Sequence, residues 1–362
     1  MSMISTVYSI PTGTLTLQTN ADPTALLEVQ ARHNPKRGFL FVSKVLGKHL
    51  AVPLEHMRRS YRALVEQLPN MAGETLVIGM AETATQLGYG VWNELAQRED
   101  NSVWFLHTTR YKTSNDALGF EESHSHAPSQ WIQGLSDSRL KNVKTVVLVD
   151  DELSTGKTFH ALQNVISQAL PGVQQVHWVC LTDFRPPEHR NYPAVSLLEG
   201  SWAFEWSHVP ENVKAAEGRA VDPSRIPFDF GRKAPMDRAQ RDGHIAANLE
   251  NLNDELVWRG LGKKVLVVGS GEFMPYAFEM AQILEARGLN VCFQATTRSP
   301  ALMPRVELGV DHYGEGVEQY IYNFDRTAFD SVVVFAETNV NDQLSHIAER
   351  LNAHVINVEN WL

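Results

Sequence analysis

Residues 146–158, VVLVDDELSTGKT, bring together two adjacent carboxylates, two hydroxyls, a glycine and a lysine behind a run of four apolar residues. A strand ending at Val149 would deliver Asp150 and Asp151 to the carboxyl edge of a sheet, where open α/β sheets bind their ligands. Consecutive strand residues point to opposite faces, so both acids meet one ligand only if the chain turns there. Leu153, Ser154, Thr155 and Gly156 suit such a turn, and small residues let backbone N–H groups converge on a phosphate. A helix beginning near Lys157 and Thr158 adds its N-terminal dipole. Two carboxylates beside a bare phosphate would repel it. They make sense if they hold ribose hydroxyls and a divalent cation while the loop holds a 5′-phosphate. A kinase P-loop needs glycine where Asp151 stands, so that reading fails. A plain helix cap at Ser154 or Thr155 accounts for the loop but not for the paired acids.

The surrounding elements read as strands alternating with helices. TLVIGM, SVWFLHTT, TVVLVDD and QVHWVCLTDF are strands; ATQLGYGVWNELAQ and KTFHALQNVISQAL are helices. Such alternation implies βαβ units and a mostly parallel sheet with its strand C-termini on one edge. VYSIPTGTLTLQT reads as a strand pair about Pro11–Gly13. The pattern fades over residues 207–260 and restarts at KKVLVVGSGEF. The expected organisation is therefore two Rossmann-like α/β domains: residues 1–206, divided into an N-terminal part (1–72) and a core (73–206), a connector (207–260), and a second domain (261–362). With 362 residues, 43% hydrophobic, two domains with sizeable cores are affordable in length. A formal charge of −10 without a basic cluster argues against a large nucleic-acid footprint. Cys180 and Cys292 read as buried thiols of a reducing cytosol, and no stretch reads as a leader or membrane span, so a cytoplasmic location is expected.

The chain also contains a repeat. LVIGMAET (76–83) matches LVVGSGEF (266–273) at Leu, Val, Gly and Glu, and each is followed by a strand ending in Thr-Thr-Arg, at 108–110 and 296–298. VVLVDDE then aligns with VVVFAET, from Val332. The second copy keeps the strand but replaces Asp150–Asp151 by Ala336–Glu337. Two generic α/β units also produce such matches; the repeated Thr-Thr-Arg favours duplication, with the chemistry lost from the second half.

The apolar strand, acidic pair and small Thr/Gly loop of VVLVDDELSTGKT resemble the PRPP-binding signature of type I phosphoribosyltransferases. Together with NPKRGFLFVSKVLGKH (34–49) and TTRSP (296–300), nearly the whole chain resembles the phosphoribosyltransferase-like proteins with a C-terminal TRSP domain found in tellurium-resistance (stress-response) gene clusters. The resemblance implies a type I phosphoribosyltransferase fold for the first domain, PRPP as co-substrate with Mg²⁺ held through Asp150 and Asp151, and an unidentified acceptor base. It implies a pyrophosphate loop at Ala81, Glu82, Thr83 and Ala84, although Glu82 reads equally as a helix N-terminal acid. Arg110 and Lys112, after the next strand, are candidates for offsetting pyrophosphate charge; Lys112 reads better as a surface residue. Glu122, His124 and His126 fall where these enzymes keep a mobile loop and would close over pyrophosphate or shuttle a proton. Zinc at the two histidines lacks a third ligand nearby. Arg37, Lys44, Lys48 and His49 fall in the expected hood and would read an acidic acceptor or simply be solvated. GSGEFM (269–274) departs from a dinucleotide fingerprint at Met274, but Gly269–Ser270–Gly271 with Arg298 and Ser299 suits a phosphate. Partners are expected to be small molecules, with no nucleic acid or membrane, and either a homodimer or an intrachain pseudo-dimer. A catalytically silent PRPP or nucleotide sensor is the alternative function, and a hydrolase of ribosyl bonds a third.

Overall fold

The computed structural model describes residues 3–32, 34–99, 102–121, 129–208, 228–254, 260–298, 301–310, 318–337 and 343–361. The N-terminal hairpin forms as the turn residues dictate, with β1 (Ile4–Ile10) antiparallel to β2 (Gly13–Thr19). A second hairpin, β3 (Leu27–Ala31) and β4 (Phe39–Ser43), packs Leu27, Val29, Phe39 and Phe41 against Leu15, Leu17, Phe184 and Leu198. Then come the short β5 (Val52–Pro53) and α1 (Leu54–Val65), whose buried residues Leu54, Met57, Tyr61, Leu64 and Val65 recur at helical spacing.

The central sheet follows: β6 (Glu74–Gly79), α2 (Thr85–Arg98), β7 (Val103–His107), the hairpin β8 (Leu118–Glu121) and β9 (Ser129–Ile132), β10 (Val143–Leu153), α3 (Lys157–Ala169), β11 (Gln175–Asp183) and β12 (Ala194–Trp206). Its order is β1-β2-β12-β11-β10-β6-β7, parallel from β12 to β7 and antiparallel at β2 and β1. Leu76, Val77, Ile78 and Val146–Val149 are fully buried, as strands covered on both faces require. The winding direction reverses between β6 and β10, and such a switch point opens a crevice at the strand C-termini. Helix α2 lies tight against β6. A Cβ on Gly88 would sit 2.4 Å from the Gly79 Cα, so only glycine permits this approach.

One boundary differs from expectation. The strand expected to end at Val149 runs on to Leu153. Its ladder with β6 stops at Val149–Gly79, but its ladder with β11 continues to Leu153–Asp183. β6 turns away into the loop at 80–84, so the acidic pair is supported from one side and open on the other.

The second half contains α4 (Arg238–Asp254), β13 (Lys264–Gly269), α5 (Met274–Ala286), β14 (Asn290–Ala295), the hairpin β15 (Arg305–Val310) and β16 (Glu318–Tyr322), β17 (Ser331–Ala336), α6 (Gln343–Leu351) and β18 (His354–Asn357). Its sheet has the order β18-β17-β13-β14-β5, parallel except at β5. Thus β7-β6-β10-β11 and β14-β13-β17-β18 share one winding, each with a hairpin before its third strand.

The two halves exchange edges. β5, from the first half, pairs with β14 through Cys292–Pro53 and Phe293–Val52, and the Ala295 N–H donates to the Gly47 carbonyl at 2.7 Å. In return, residues 230–236 line the free edge of β7: the His107 N–H donates to the Gly231 carbonyl (2.7 Å), and Phe105 and Met236 exchange both backbone bonds. Gly47 and Gly231 both have positive φ, 69° and 86°, and a Cβ on either would strike a phenylalanine ring, Phe293 or Phe105. The stretch read as a plain connector therefore carries a strap and a helix. One hydrophobic cluster runs through both halves, from Leu76 and Tyr61 to Tyr276, Phe278 and Phe293. Among the described residues, no helix is long and apolar enough to cross a membrane.

Candidate active site

Asp150 and Asp151 sit half-buried at the supported end of β10, beside the switch point. The Asp151 N–H donates to the Asp150 carboxylate (2.9 Å), and the Thr182 hydroxyl donates to the Asp151 carbonyl (3.4 Å). The next residue, Glu152, has a structural role: it receives both terminal nitrogens of Arg37, at 2.9 and 3.0 Å. The Arg37 guanidinium stacks 4.4 Å from the Phe39 centroid and 4.9 Å from that of Phe41. This fork clamps the β3–β4 hood onto the strand carrying the acids.

Ser154, Thr155 and Gly156 form the expected tight loop before α3. Gly156 has φ +75°, and a Cβ there would meet the Trp178 ring at 2.8 Å, so backbone sign and space both demand glycine. The Lys157 N–H donates to Thr155 Oγ1 (3.4 Å). Lys157 is exposed and Thr158 half-buried in the first turn of the helix.

Across the crevice, the Met80 N–H donates to the Val149 carbonyl (2.9 Å), which fixes the loop of Ala81, Glu82, Thr83 and Ala84 beside the acids. The Ala81 N–H donates to Thr108 Oγ1 (2.8 Å), whose hydroxyl donates to Gln130 Oε1 (2.5 Å). Glu82 faces Lys48 at 2.7 Å and Arg298 at 3.0 Å. Burial opposes its ionisation, but these two cations outweigh burial and hold its carboxyl well below the usual range. Burial in turn lowers the pKa of Lys48, which is 1% exposed and also donates to the Gly271 carbonyl at 3.2 Å.

Arg110 is only 7% exposed, and its N–H donates to Glu272 of the second half (2.7 Å), as does the Thr109 hydroxyl (2.7 Å). Lys112 is exposed. Glu122, His124 and His126 lie outside the described residues, as does Ser299. Among the described residues, no group of three or more His, Cys, Asp and Glu side chains converges on a metal position. Of the four hood cations picked out by sequence, Arg37 lines the cavity beside the small loop. Lys44 donates to the Thr24 carbonyl (2.8 Å), Lys48 serves Glu82, and His49 is buried with its pKa lowered to about 3 by desolvation.

A cavity of about 390 Å³ joins the hood to the small loop; Arg32, Lys36, Arg37, Phe184, Pro187 and Trp202 line it together with Ser154 and Thr155, and the Arg37 guanidinium lies 5.8 Å from the Trp202 ring centroid. Sequence reasoning missed its aromatic wall, because Phe184 and Trp202 read as ordinary strand residues.

Residues 26–202 match the sequence model of PRTase_2, phosphoribosyl transferase, and residues 230–351 match that of the TRSP domain, the C-terminal partner of PRTase_2. The chain belongs to this two-domain phosphoribosyl transferase–TRSP family. Among solved structures it is similar to adenine phosphoribosyltransferase from Rhodothermus marinus DSM 4252, at 16% identity, TM-score 0.32, covering 49% of this chain and 95% of that one. The enzyme of the same name from Thermoanaerobacter pseudethanolicus ATCC 33223 matches at 18% and 0.33, covering 49% and 96%. A hypoxanthine phosphoribosyltransferase from Staphylococcus aureus matches at 18% and 0.27, covering 42% and 77%. At these scores the likenesses carry no argument about substrate or residue role. A comparison with curated proteins finds no match.

The TRSP domain contains a matching set of contacts at its own switch point. The Gly271 N–H donates to Thr296 Oγ1 (2.7 Å), and the Thr296 hydroxyl donates to Gln319 (3.1 Å), as Ala81, Thr108 and Gln130 do in the transferase domain. The position of Asp151 is taken by Glu337, which is fully buried and bound by Arg232 at 2.6 Å; Arg232 also approaches Glu272 at 3.5 Å. The crevice of the TRSP domain is thus filled by an internal ion-pair network. Glu272 and Arg232 were not found from sequence as site residues, although Glu272 aligns with Glu82 in the repeat.

Proposed function

We propose that the chain is a PRPP-dependent phosphoribosyltransferase forming an N-glycosidic ribonucleotide-like product. The observation that carries this reading is the position of Asp150–Asp151: at the end of β10, beside the switch point, between the glycine-turned loop that opens α3 and the backbone loop at 81–84. In this reading the amides of 154–158 hold the 5′-phosphate and those of 81–84 the pyrophosphate, while the two acids orient the ribose hydroxyls. Asp150 and Asp151, two half-buried carboxylates, would hold Mg²⁺ through the hard oxygen donors that this ion takes. When bound, the ion offsets charge on the departing pyrophosphate. The bond from C1 to pyrophosphate oxygen breaks with its electron pair leaving on pyrophosphate, a ring nitrogen of the acceptor forms the new bond to C1, and its proton passes to solvent. The protein's part is positioning and charge stabilisation. Arg110 and Lys112 are proposed to act on pyrophosphate charge, and Glu122, His124 and His126 to close over it.

We also propose that residues 76–158 and 266–342 are duplicates, the second degenerate, joined as an intrachain pseudo-dimer. The shared winding, the exchanged edges and the paired Thr–Gln contacts support this, as does the bond between Tyr89 and Glu279, which fall ten positions beyond Gly79 and Gly269 respectively. The tellurium-resistance stress setting is proposed on the two-domain architecture alone.

The deciding experiment supplies PRPP, Mg²⁺ and a panel of heterocyclic bases and follows pyrophosphate. Base-dependent release that Asp150→Asn or Asp151→Asn abolishes supports transfer. Glu82, a carboxylate inside the pyrophosphate loop, favours a second reading, a silent PRPP sensor; tight PRPP binding without release for any base supports that one.

A further inference from the structure

We infer that the chain forms a two-fold dimer by pairing β1 with β1 of a second copy, antiparallel and centred on Val7. β1 closes one end of the seven-stranded sheet, and among the described residues its ladder runs to β2 alone. Ile10 and Gly13 flank a two-residue turn and exchange backbone bonds, so alternation turns the backbone groups of Ile10, Tyr8, Thr6 and Ile4 toward β2. The N–H and C=O groups of Ser5, Val7 and Ser9 point the other way, along the outer edge. Such an edge invites another strand unless it is covered, shortened, charged or broken by proline. The other ends of the two main sheets are treated in those ways. Residues 230–236 line β7, β5 is two residues long with Pro53 in it, and β18 has four residues. β1 has none of these protections: it is seven residues long, pairs without a bulge, and carries neither charge nor proline. Val7 is 62% exposed and Ile4 42%.

The strand itself specifies a second copy as the occupant. ISTVYSI reads nearly the same from either end: Ile4 and Ile10, Ser5 and Ser9, and Thr6 and Tyr8 stand symmetrically about Val7. Laid antiparallel on a second copy with Val7 opposite Val7, the strand sets Ile4 against Ile10, Ser5 against Ser9 and Thr6 against Tyr8. These are apolar, hydroxyl and β-branched–aromatic pairs of the kind that stabilise a sheet, and no charge meets a like charge. The outward backbone groups coincide in the same register. Ser5 with Ser9, Val7 with Val7 and Ser9 with Ser5 each exchange two backbone bonds. A shift of one residue would set these groups opposite ones already bonded to β2, and a shift of two sets a serine against Val7. Each chain has one β1, so the pairing closes at two copies instead of growing into a filament. Nothing in it depends on the ligand of the crevice.

Sedimentation velocity of the full chain over a dilution series is expected to show a monomer–dimer equilibrium. Val7→Lys sets two like charges on the axis and should raise the dimer dissociation constant at least about tenfold, as should Val7→Glu. Thermal melts of both variants should match the wild type's, because the side chain is exposed. Mixing Val7→Lys chains with Val7→Glu chains should restore the dimer, since opposite charges then meet. Mild oxidation reads the register. Ser5→Cys chains mixed with Ser9→Cys chains should form an intermolecular disulfide, the paired Cα atoms standing about 5.5 Å apart and within disulfide range, whereas neither variant should do so alone. A monomer at every dilution, growth past the dimer, or a dimer indifferent to Val7→Lys overturns the inference. So does failure of the mixed charges to restore pairing, or Ser5→Cys chains that cross-link as readily alone as in the mixture.

Discussion

Arg298 of the TRSP domain reaches Glu82 of the transferase domain at 3.0 Å, joining residues 216 positions apart. Lys48 completes the contact from the hood strap. A carboxylate here would oppose pyrophosphate if it stood alone; bracketed by two cations, it becomes the peg that fixes the loop. Glu82→Gln removes the one carboxylate between Lys48 and Arg298, leaving two buried cations uncompensated, and is expected to cost about 3 kcal/mol of stability. Glu82→Gln with Arg298→Gln leaves one such cation and should recover part of that loss. Urea midpoints for the two variants and the wild type check this, and a double variant no more stable than Glu82→Gln would contradict it.

Asp150→Asn and Asp151→Asn keep size and hydrogen-bonding capacity while removing charge. Each is expected to lower Mg²⁺-dependent PRPP binding and pyrophosphate release by at least about a hundredfold. Because the site is half-open, stability should stay within about 0.5 kcal/mol. Calorimetric titration and thermal melts separate the two effects.

Gly156→Ala strains both the backbone and the Trp178 ring. Placing Cβ in the left-handed region costs about 1–2 kcal/mol, and the ring must yield as well. The expected result is a protein that still folds, with a weaker 5′-phosphate site and a changed tryptophan fluorescence. Ribose 5-phosphate binding measures it.

Glu279, beneath the hydrogen bond from Tyr89 at 2.5 Å, has its pKa raised by burial, with Tyr89, Gln282 and Arg241 acting in the opposite direction and Asp242 adding to the rise. The folded protein therefore holds this proton more tightly than the unfolded chain does. That contribution is complete below the unfolded glutamate pKa of about 4.3 and is lost as pH rises through the folded value. Glu279→Gln keeps an acceptor for Tyr89 and removes the proton. Its stability should decline less than the wild type's between pH 4 and pH 8, as read from denaturant midpoints along that series.

The part of the site built from neighbouring residues was legible in the sequence. Asp150, Asp151 and the loop to Thr158 lie in one run, and strand alternation placed them at a sheet edge. Where the argument depended on pairing between distant segments, it fell short. Nothing in VVLVDD marks that β11 carries the strand on to Leu153 after β6 has left it. Glu82 reads equally as a helix N-terminal acid because its partners come from the hood and from the far domain, and no spacing rule links them. Residues 230–236 read as a connector because FGRKAPM has no strand periodicity. Set beside LGKHLAV (46–52), however, its Gly followed by a cation matches at both places where the straps turn. Trp202 and Phe184 were hidden for the opposite reason: aromatic residues in strands are ordinary, and only the hood folding over them makes them a wall.

The exchanged straps have a consequence for synthesis. β5 has no partner until β14 has been made, more than half the chain later, and the free edge of β7 waits for residues 230–236. A growing chain must hold the first half with one edge bare and a hydrophobic face uncovered, the condition in which unfinished domains associate wrongly. Folding is then governed by its most distant pairing rather than by its local helices. The first half made alone should be prone to aggregation even with every residue of its crevice present, and supplying the second half in trans should rescue it only when both are present before collapse.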